Sequence, residues 1–211
     1  YFSRNLGIRL ARGKYIANHD ADDIALQHRI ERQMIPLSCG QAEITIAHVF
    51  RSRCQAEQLV RLDEDELIGT VLGLRQTDKQ GKYCYRDRPV LGLMTSLFRK
   101  GLFEEFGLFW ESRFGADSEY LERVLHRMDK LPVGEKDPSV QSRLSRLDHI
   151  AGTYKRINEV LVVSPDLNGN NITGSYCADE RDEFMLTWRR RLAGQGDYIY
   201  PKLTDNQSGS R

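Results

Sequence analysis

Three aspartates lie within four consecutive residues, at Asp20, Asp22 and Asp23. Ionised carboxylates this close repel one another, so a folded protein keeps them together only where solvent, an arginine or a metal ion compensates their charge. The spacing therefore predicts a loop that needs a cation. His19 lies beside this run but alternates away from Asp20, so we expect it to be a packing residue rather than a ligand.

The acidic residues also allow two other interpretations. Asp23 suits the N-cap of a following helix, with the remaining charges solvated. A calcium-binding EF-hand needs acidic residues at loop positions one, three and twelve and Gly at position six. Asp20, Asp22 and Glu31 match those positions, but Ala25 replaces the Gly. A strand rather than a helix is predicted before the loop, so calcium is disfavoured.

A phosphatase-type nucleophile is a further interpretation of Asp20, because such an aspartate follows a strand. That class resembles Asp-x-Asp followed by Gly and Thr. Here Asp23 and Ile24 follow instead, so the match to that class is incomplete.

A short strand and a helix are predicted on either side of the acidic run. Residues 15–17 are apolar and partly aromatic, as in a buried strand. Between residues 25 and 37, apolar residues recur at a spacing of four, which predicts an amphipathic helix whose apolar face carries Leu26, Ile30 and Met34. In open α/β sheets ligands bind beyond the carboxyl ends of the strands, where this loop would lie.

The residues around the acidic run resemble family 2 glycosyltransferases of the GT-A fold. The resemblance rests on the following residues: Arg4-Asn5-Leu6-Gly7, Ala11 to Ile16, Asp20 to Asp23, Arg29 and Gln33. It implies that Asp22, helped by Asp20, holds a divalent metal, Mn or Mg, on the diphosphate of a nucleotide-sugar donor. Arg4 and Asn5 are then expected to touch the nucleotide, although hydrogen bonding at a helix end would explain them equally.

A second group of segments follows in the same family order. These segments are Met94 to Arg99, Gly107 to Trp110 and Arg113 to Arg123. The last one is similar to the segment that carries the catalytic base of inverting members, which implies that Asp117 is the base and Glu119 the alternative. Asp117 stands where a helix is expected to begin, so a plain N-cap is the other interpretation. A carboxylate there is stabilised as the anion by the helix dipole and would act through close positioning.

The resemblance spans residues 4–173 and implies an α/β fold with an incomplete Rossmann-like mixed sheet flanked by helices. Members of this family begin with a strand, a helix and a second strand that bind the nucleobase and ribose. Nothing of that kind precedes Tyr1, so we expect the chain to be a fragment. The expected organisation is a partial glycosyltransferase domain over 1–175, followed by a C-terminal helix and tail over 176–211.

Periodicity and turn residues predict further elements along the chain. They are a helix at 4–11, strands at 43–50, 91–99 and 157–163, helices at 63–74, 103–106, 118–128 and 182–192, and a loop at 131–145. Asn and Gly in the polar segment 164–173 predict a sharp turn. In the resembled family such a segment closes over the active site, and an ordinary turn is the other interpretation.

Composition limits the class of protein and the partners to be expected. With 211 residues, 40% of them hydrophobic, the chain can bury one sizeable core. The formal net charge of +1 creates no overall field that would attract nucleic acid. The basic cluster 189–191 is interpreted as a solvated helix face, with a membrane-surface patch as the alternative. We expect neither a membrane span nor a signal peptide in this stretch.

The four cysteines form no Cys-x-x-Cys pair, which argues against a zinc site or a disulfide framework. They are Cys39, Cys54, Cys84 and Cys177. Reduced cysteines suit a cytosolic protein.

The resemblance implies the partners and the setting of the reaction. The partners are a nucleotide-sugar donor and a saccharide or lipid-linked saccharide acceptor, with peripheral membrane association as a further expectation. The family suggests bacterial surface polysaccharide or glycoconjugate synthesis in the cytoplasm, at the inner face of the membrane. Two other functions stay open. One is a non-catalytic interaction module, and the other is a glycoside hydrolase, which uses two carboxylates roughly 5–10 Å apart and needs no metal.

Overall fold

The computed structural model describes residues 1–51, 89–91, 93–112, 115–127, 149–150 and 153–165, together with 183–184, 186–188, 190 and 203. The helices are α1 (Phe2–Leu10), α2 (Arg29–Ser38), α3 (Gly101–Phe106) and α4 (Ala116–Arg127). The strands are β1 (Tyr15–Ala17), β2 (Ile24–Ala25), β3 (Ile44–Arg51), β4 (Pro89–Leu91), β5 (Leu97–Arg99), β6 (His149–Ile150) and β7 (Tyr154–Ser164). Residues 183–184, 186–188 and 190 are also helical.

The strands form one mixed sheet with β3 at its centre. Along the sheet the order is β1-β5-β3-β7-β2, while β4 pairs with β3 and β6 pairs with β7. β3 runs parallel to β7 and antiparallel to β5. Its residues 44–47 are fully buried, as expected for a strand with neighbours on both edges and helices on both faces.

The two faces of the sheet pack against different helices. Successive residues of a strand point to opposite faces. In β5, Phe98 belongs to the main core cluster together with Ile8 of α1 and Tyr120 of α4, whereas Leu97 packs with Leu37 of α2. Helices therefore cover both faces, which confirms the predicted α/β fold with a mixed sheet flanked by helices.

The helix predicted at 25–37 begins later than expected. Ile24 and Ala25 form β2 and pair antiparallel with β7, so their backbone is extended rather than helical. α2 begins at Arg29 with His28 at its N-cap, and the prediction that Asp23 caps this helix is wrong. Pairing with a distant strand overrides the local helical pattern, because it satisfies the backbone groups that a helix would otherwise use.

The apolar face predicted for this helix is confirmed only in part, because Met34 packs against the small core cluster of Leu37, Ala42 and Leu97 but Ile30 does not face the core. Ile30 is 49% exposed, whereas Arg29 and Gln33 are 2% and 0% exposed. α2 therefore turns part of its polar side toward the protein interior, where these two side chains find hydrogen-bond partners.

The single strand predicted at 91–99 is two strands in the structure. A 3-10 turn at Leu93–Thr95 separates β4 from β5. The Thr95 hydroxyl accepts a hydrogen bond from the Ala47 N–H at 2.8 Å and donates one to the Ala47 carbonyl at 3.0 Å. The Thr95 side chain thus satisfies the backbone groups of Ala47 that a neighbouring strand would otherwise pair with, so the chain turns at residues 93–95.

The remaining predictions agree with the structure where it can test them. The helices near 4–11, 103–106, 118–128 and 182–192 and the strands near 43–50 and 157–163 are confirmed, and the last strand begins at Tyr154. The helix at 63–74, the loop at 131–145 and residues 166–173 lie outside the described residues. None of the helices in the described part of the chain has the length and apolar character needed to cross a bilayer.

Candidate functional site

The acidic run begins directly after β1. The N–H of Asn18 donates to the Ser96 carbonyl at 2.9 Å, which continues the β1–β5 ladder by one residue. The N–H of Asp23 then donates to the Asp20 carbonyl at 3.1 Å and closes a turn. Within this turn Asp20 is half-buried and Asp22 is exposed. The loop therefore lies at the end of a strand, as predicted.

Arg29 of α2 supports the loop from one side. Its Nη2 donates to the Asn18 carbonyl, its Nη1 lies 2.9 Å from Nδ1 of His19, and its Nε donates to Oε1 of Gln33 at 3.1 Å. Burial lowers the pKa of Arg29, and the charges of Asp23 and Asp20 oppose that effect. Arg29 therefore carries its positive charge directly behind the acidic run.

Gln33 connects this arginine to the centre of the sheet. Its Nε2 donates to the Thr95 carbonyl at 2.7 Å, and the Thr45 hydroxyl donates to the Gln33 carbonyl at 3.2 Å. A buried chain of polar groups thus runs from β3 to the acidic loop, and it explains why the polar side of α2 faces inward.

His19 is not the packing residue that its position predicted. Its side chain is exposed and its ring meets the guanidinium of Arg29. Partial burial of the ring and the nearby Arg29 charge lower the pKa of His19 below its ordinary value of 6.5. His19 is therefore a neutral hydrogen-bond partner of Arg29 near neutral pH.

Arg4 of α1 reaches the loop from the other face of the sheet. Its Nη2 donates to Oδ1 of Asp20, and its guanidinium lies 5.1 Å from the centre of the Tyr1 ring. Burial disfavours the charge, but Asp20, Tyr1 and Asp117 outweigh burial and raise the pKa of Arg4. Its buried Nη1 has no hydrogen-bond partner in the part of the chain described.

Asp117 lies in the first turn of α4, close to Arg4. Gly115 precedes it with a φ of 77°, a backbone conformation that favours glycine, and this turn leads into the helix. Oδ1 of Asp117 accepts a hydrogen bond from the Ser118 N–H at 2.8 Å, so Asp117 does act as a local cap. Its carboxylate also interacts with Arg4 and with the Tyr1 hydroxyl.

The Tyr1 hydroxyl donates a hydrogen bond to this carboxylate. Burial of the ring and the adjacent Asp117 charge raise the pKa of Tyr1 well above its ordinary value, so the phenol stays protonated. The structure thus brings Arg4, Asp20 and Asp117 together with Tyr1, although Asp20 and Asp117 are far apart in the sequence.

Asn5 was predicted to touch the nucleotide, and in the structure its side chain is engaged within the protein. The side chain is 2% exposed, and both ends of its amide are occupied. Its Nδ2 donates to the Phe109 carbonyl at 2.8 Å, and its Oδ1 accepts from the Phe109 N–H at 3.0 Å. Asn5 therefore holds α1 to the segment that follows α3.

Glu119, the alternative base, is also a structural residue. It is 0% exposed, and its two oxygens accept from Arg123 at 2.7 and 3.1 Å. Arg123 also donates to the carbonyls of Phe106 and Leu108. The Glu119 carboxylate is thus enclosed in the core by a bidentate ion pair, whereas Asp117 is half-buried and is the more accessible carboxylate of this segment.

The residues beside the loop fit a cation held together with an anionic ligand. No cluster of three or more His, Cys, Asp or Glu side chains that could hold a metal occurs among the described residues. Mg²⁺ is typically held by one or two carboxylates plus substrate phosphates, for which Asp20 and Asp22 suffice. Two buried donors near the loop, Nη1 of Arg4 and Nδ2 of Asn18, have no partner within the described ranges and suit an oxygen acceptor.

Tyr1 and the roles of His19 and Arg29 were not predicted. Tyr1 carries no motif. Arg29 and Gln33 do show a signal, since they are four residues apart and so share one helix face. That spacing identifies neighbours on α2 but not what they contact.

The sequence matches a known protein family over about its first half. The sequence model of glycosyl transferase family 2 matches residues 3–107. The matched range contains α1, the acidic loop and α2, and it ends before Asp117. No curated protein matches the chain.

Proposed function

Because this chain belongs to glycosyl transferase family 2, we propose that it transfers a sugar from a nucleoside-diphosphate sugar to an acceptor hydroxyl, with Asp117 as the base. The observation that carries the proposal is the shared position of Asp20 and Asp117 around the Arg4 guanidinium. This arrangement supports a donor-side role for Asp20 and a role as the base for Asp117.

On the donor side, Asp22 with Asp20 would hold Mn²⁺ or Mg²⁺. When bound, the ion neutralises charge on the departing diphosphate. Arg4 contributes its own positive charge, and its Nη1 can donate to a diphosphate oxygen. Asp22 is the carboxylate best suited to receive the ion, because it is exposed and no ion pair within the described residues engages it.

On the acceptor side, Asp117 takes the proton of the attacking hydroxyl. The hydroxyl oxygen forms a bond to the anomeric carbon, and the bond from that carbon to the diphosphate breaks, with both electrons leaving on the nucleoside diphosphate. Attack opposite the leaving group inverts the anomeric centre. Ser118 and Tyr1 each hydrogen-bond to the Asp117 carboxylate and limit its rotation.

The proposal extends to the setting of the reaction. The acceptor would be a saccharide or lipid-linked saccharide of bacterial surface polysaccharide or glycoconjugate synthesis. The protein would work in the cytoplasm, peripherally at the inner face of the membrane. These points are drawn from what the family suggests.

Substitution of Asp117 separates the two halves of this proposal. Asp117→Asn keeps the shape of the side chain but removes the proton acceptor, so transfer is expected to fall at least about a hundredfold. Affinity for nucleoside diphosphates in the presence of Mn²⁺ should stay nearly unchanged. Transfer is measured as release of nucleoside diphosphate from a panel of nucleotide sugars, and binding is measured by calorimetry.

Glu104→Gln is the matched control, since it removes an exposed carboxylate from α3. Its transfer rate should equal that of the wild type. Transfer that persists in Asp117→Asn would assign the base elsewhere. Absence of nucleoside-diphosphate binding, with and without Mn²⁺, would refute the transferase proposal itself.

A further inference from the structure

Arg4 already occupies one of the two carboxylates that would bind the metal. Its Nη2 donates to Oδ1 of Asp20, and the two side chains are 26% and 34% exposed. The pair is therefore partly shielded from water, which keeps its attraction stronger than that of a fully exposed pair. In this state the guanidinium is the counterion of Asp20.

A divalent cation competes with this guanidinium. Both are positive and both require carboxylate oxygens of the same short loop, so they repel each other when they share Asp20. Asp22 is exposed and has no ion pair within the described residues. A cation can therefore bind Asp22 without rearrangement, whereas its full contact with Asp20 requires Arg4 to give way.

The surroundings of Arg4 offer it a second position. Besides Asp20, its charge is favoured by Asp117 and by Tyr1, whose ring lies beneath the guanidinium. Nη1 is buried without a partner within the described residues, so the side chain has a donor to spare for a new acceptor. The guanidinium can leave Asp20 and still remain beside negative charge.

We propose that Arg4 is an internal counterion of the acidic loop that a divalent cation displaces from Asp20 toward Asp117 and Tyr1. This inference rests on the proposed metal-dependent function. It adds a coupling between the donor side, at Asp20 and Asp22, and the acceptor side, at Asp117. When a cation occupies the donor side, the positive charge of Arg4 moves toward Asp117, the proposed base. Arg4 is thus a positioning residue that responds to the cation.

The inference predicts that removing Arg4 tightens binding of the metal alone. Arg4→Gln deletes the competing charge, so Mn²⁺ no longer has to break a partly exposed ion pair. The energy of such a pair corresponds to about a fivefold increase in Mn²⁺ affinity. Mn²⁺ binding without nucleotide is measured by electron paramagnetic resonance of the free ion. Arg4→Met, which keeps the aliphatic stem, should show the same increase, and circular dichroism checks that both variants are folded.

Arg12→Gln is the matched control, because it removes one positive charge from an exposed residue just after α1. Its Mn²⁺ affinity should remain close to the wild-type value, which separates displacement from a general change in net charge. Equal or weaker Mn²⁺ binding by both Arg4 variants overturns the inference and leaves the transferase proposal standing. Absence of Mn²⁺ binding in every variant, with and without nucleoside diphosphate, overturns the metal dependence together with the inference.

Discussion

Two arginines from helices on opposite faces of the sheet compensate the acidic run. Arg4 pairs with Asp20, while Arg29 lies behind the loop and feels the charges of Asp20 and Asp23. Crowded carboxylates are thus tolerated here, because two guanidinium groups supply positive charge. The same arrangement leaves Asp22 exposed at the surface for a ligand.

His19 should make stability depend on pH. Its pKa in the folded protein is lowered below 6.5, so the unfolded chain binds the extra proton more readily. The contribution of neutral His19 is fully present above that ordinary value and is lost as the pH falls below it. Thermal unfolding from about pH 8 to about pH 5 should therefore show a smaller decline in melting temperature for His19→Gln than for the wild type.

His28→Gln is the control for this measurement, since His28 is an exposed residue beside Glu31. His28→Gln should show the same decline in melting temperature with falling pH as the wild type. A His19→Gln variant that loses stability with falling pH as steeply as the wild type would show that the contact with Arg29 does not disfavour protonation.

At the scale of elements, α4 is anchored by charge as well as by apolar packing. Glu119 and Arg123 form an ion pair with both side chains 0% exposed, and Arg123 ties the helix to the segment around Phe106. A buried ion pair adds little net stability over an apolar pair. Arg123, however, donates hydrogen bonds to two backbone carbonyls at the end of α3 and just after it, which the local backbone does not pair. The pair therefore fixes where α4 begins, and with it Asp117.

Removing one partner of this pair should be costly. Arg123→Met removes the charged partner of buried Glu119 and the donor to two buried carbonyls, so the free energy of unfolding should fall by about 3–5 kcal/mol. Urea denaturation measures the loss. Arg127→Met, at an exposed site on the same helix, should change stability by less than about 0.5 kcal/mol. A loss of similar size in both variants would mean that the buried pair has no special role.

At the scale of the whole molecule, one aromatic core joins distant parts of the chain. Phe98, Phe103 and Tyr120 pack with ring centres 4.8–5.5 Å apart. Trp188, which is 3% exposed, belongs to the same cluster, and Phe184 packs against it. The C-terminal helical residues therefore share the core that carries α1 and α4.

Truncation of this tryptophan should destabilise the whole protein. Trp188→Ala leaves a cavity in the main cluster and should lower the free energy of unfolding by about 3–5 kcal/mol in urea denaturation. Leu186→Ala is the control, since Leu186 is 46% exposed in the same helical stretch. Little change in Trp188→Ala would mean that the C-terminal residues unfold separately from the core.

The confirmed predictions rest on sequence patterns that span only a few residues. The strand that ends at the acidic run, the helix that begins near Asp117 and the central strand near 43–50 follow from hydrophobic spacing and from neighbouring polar residues. The family resemblance likewise rests on contiguous motifs, and the match over residues 3–107 confirms the family. The segment around Asp117 lies beyond that match and stays a prediction. The confirmed features depend on local backbone geometry, which a short stretch of sequence determines.

Only the tertiary structure decided which polar residues are exposed at the loop and which hold the fold. Asn5 finds its partner 104 residues away in Phe109, and Arg4 finds Asp20 after 16 residues. β2 replaces the first turn of the predicted helix because β7 pairs with it. The sequence by itself determined where the acidic loop and Asp117 stand along the chain. Their common counterion, and the burial of Glu119 against Arg123, came from contacts through space. Charge and hydrogen bonding act over distances that sequence spacing does not encode.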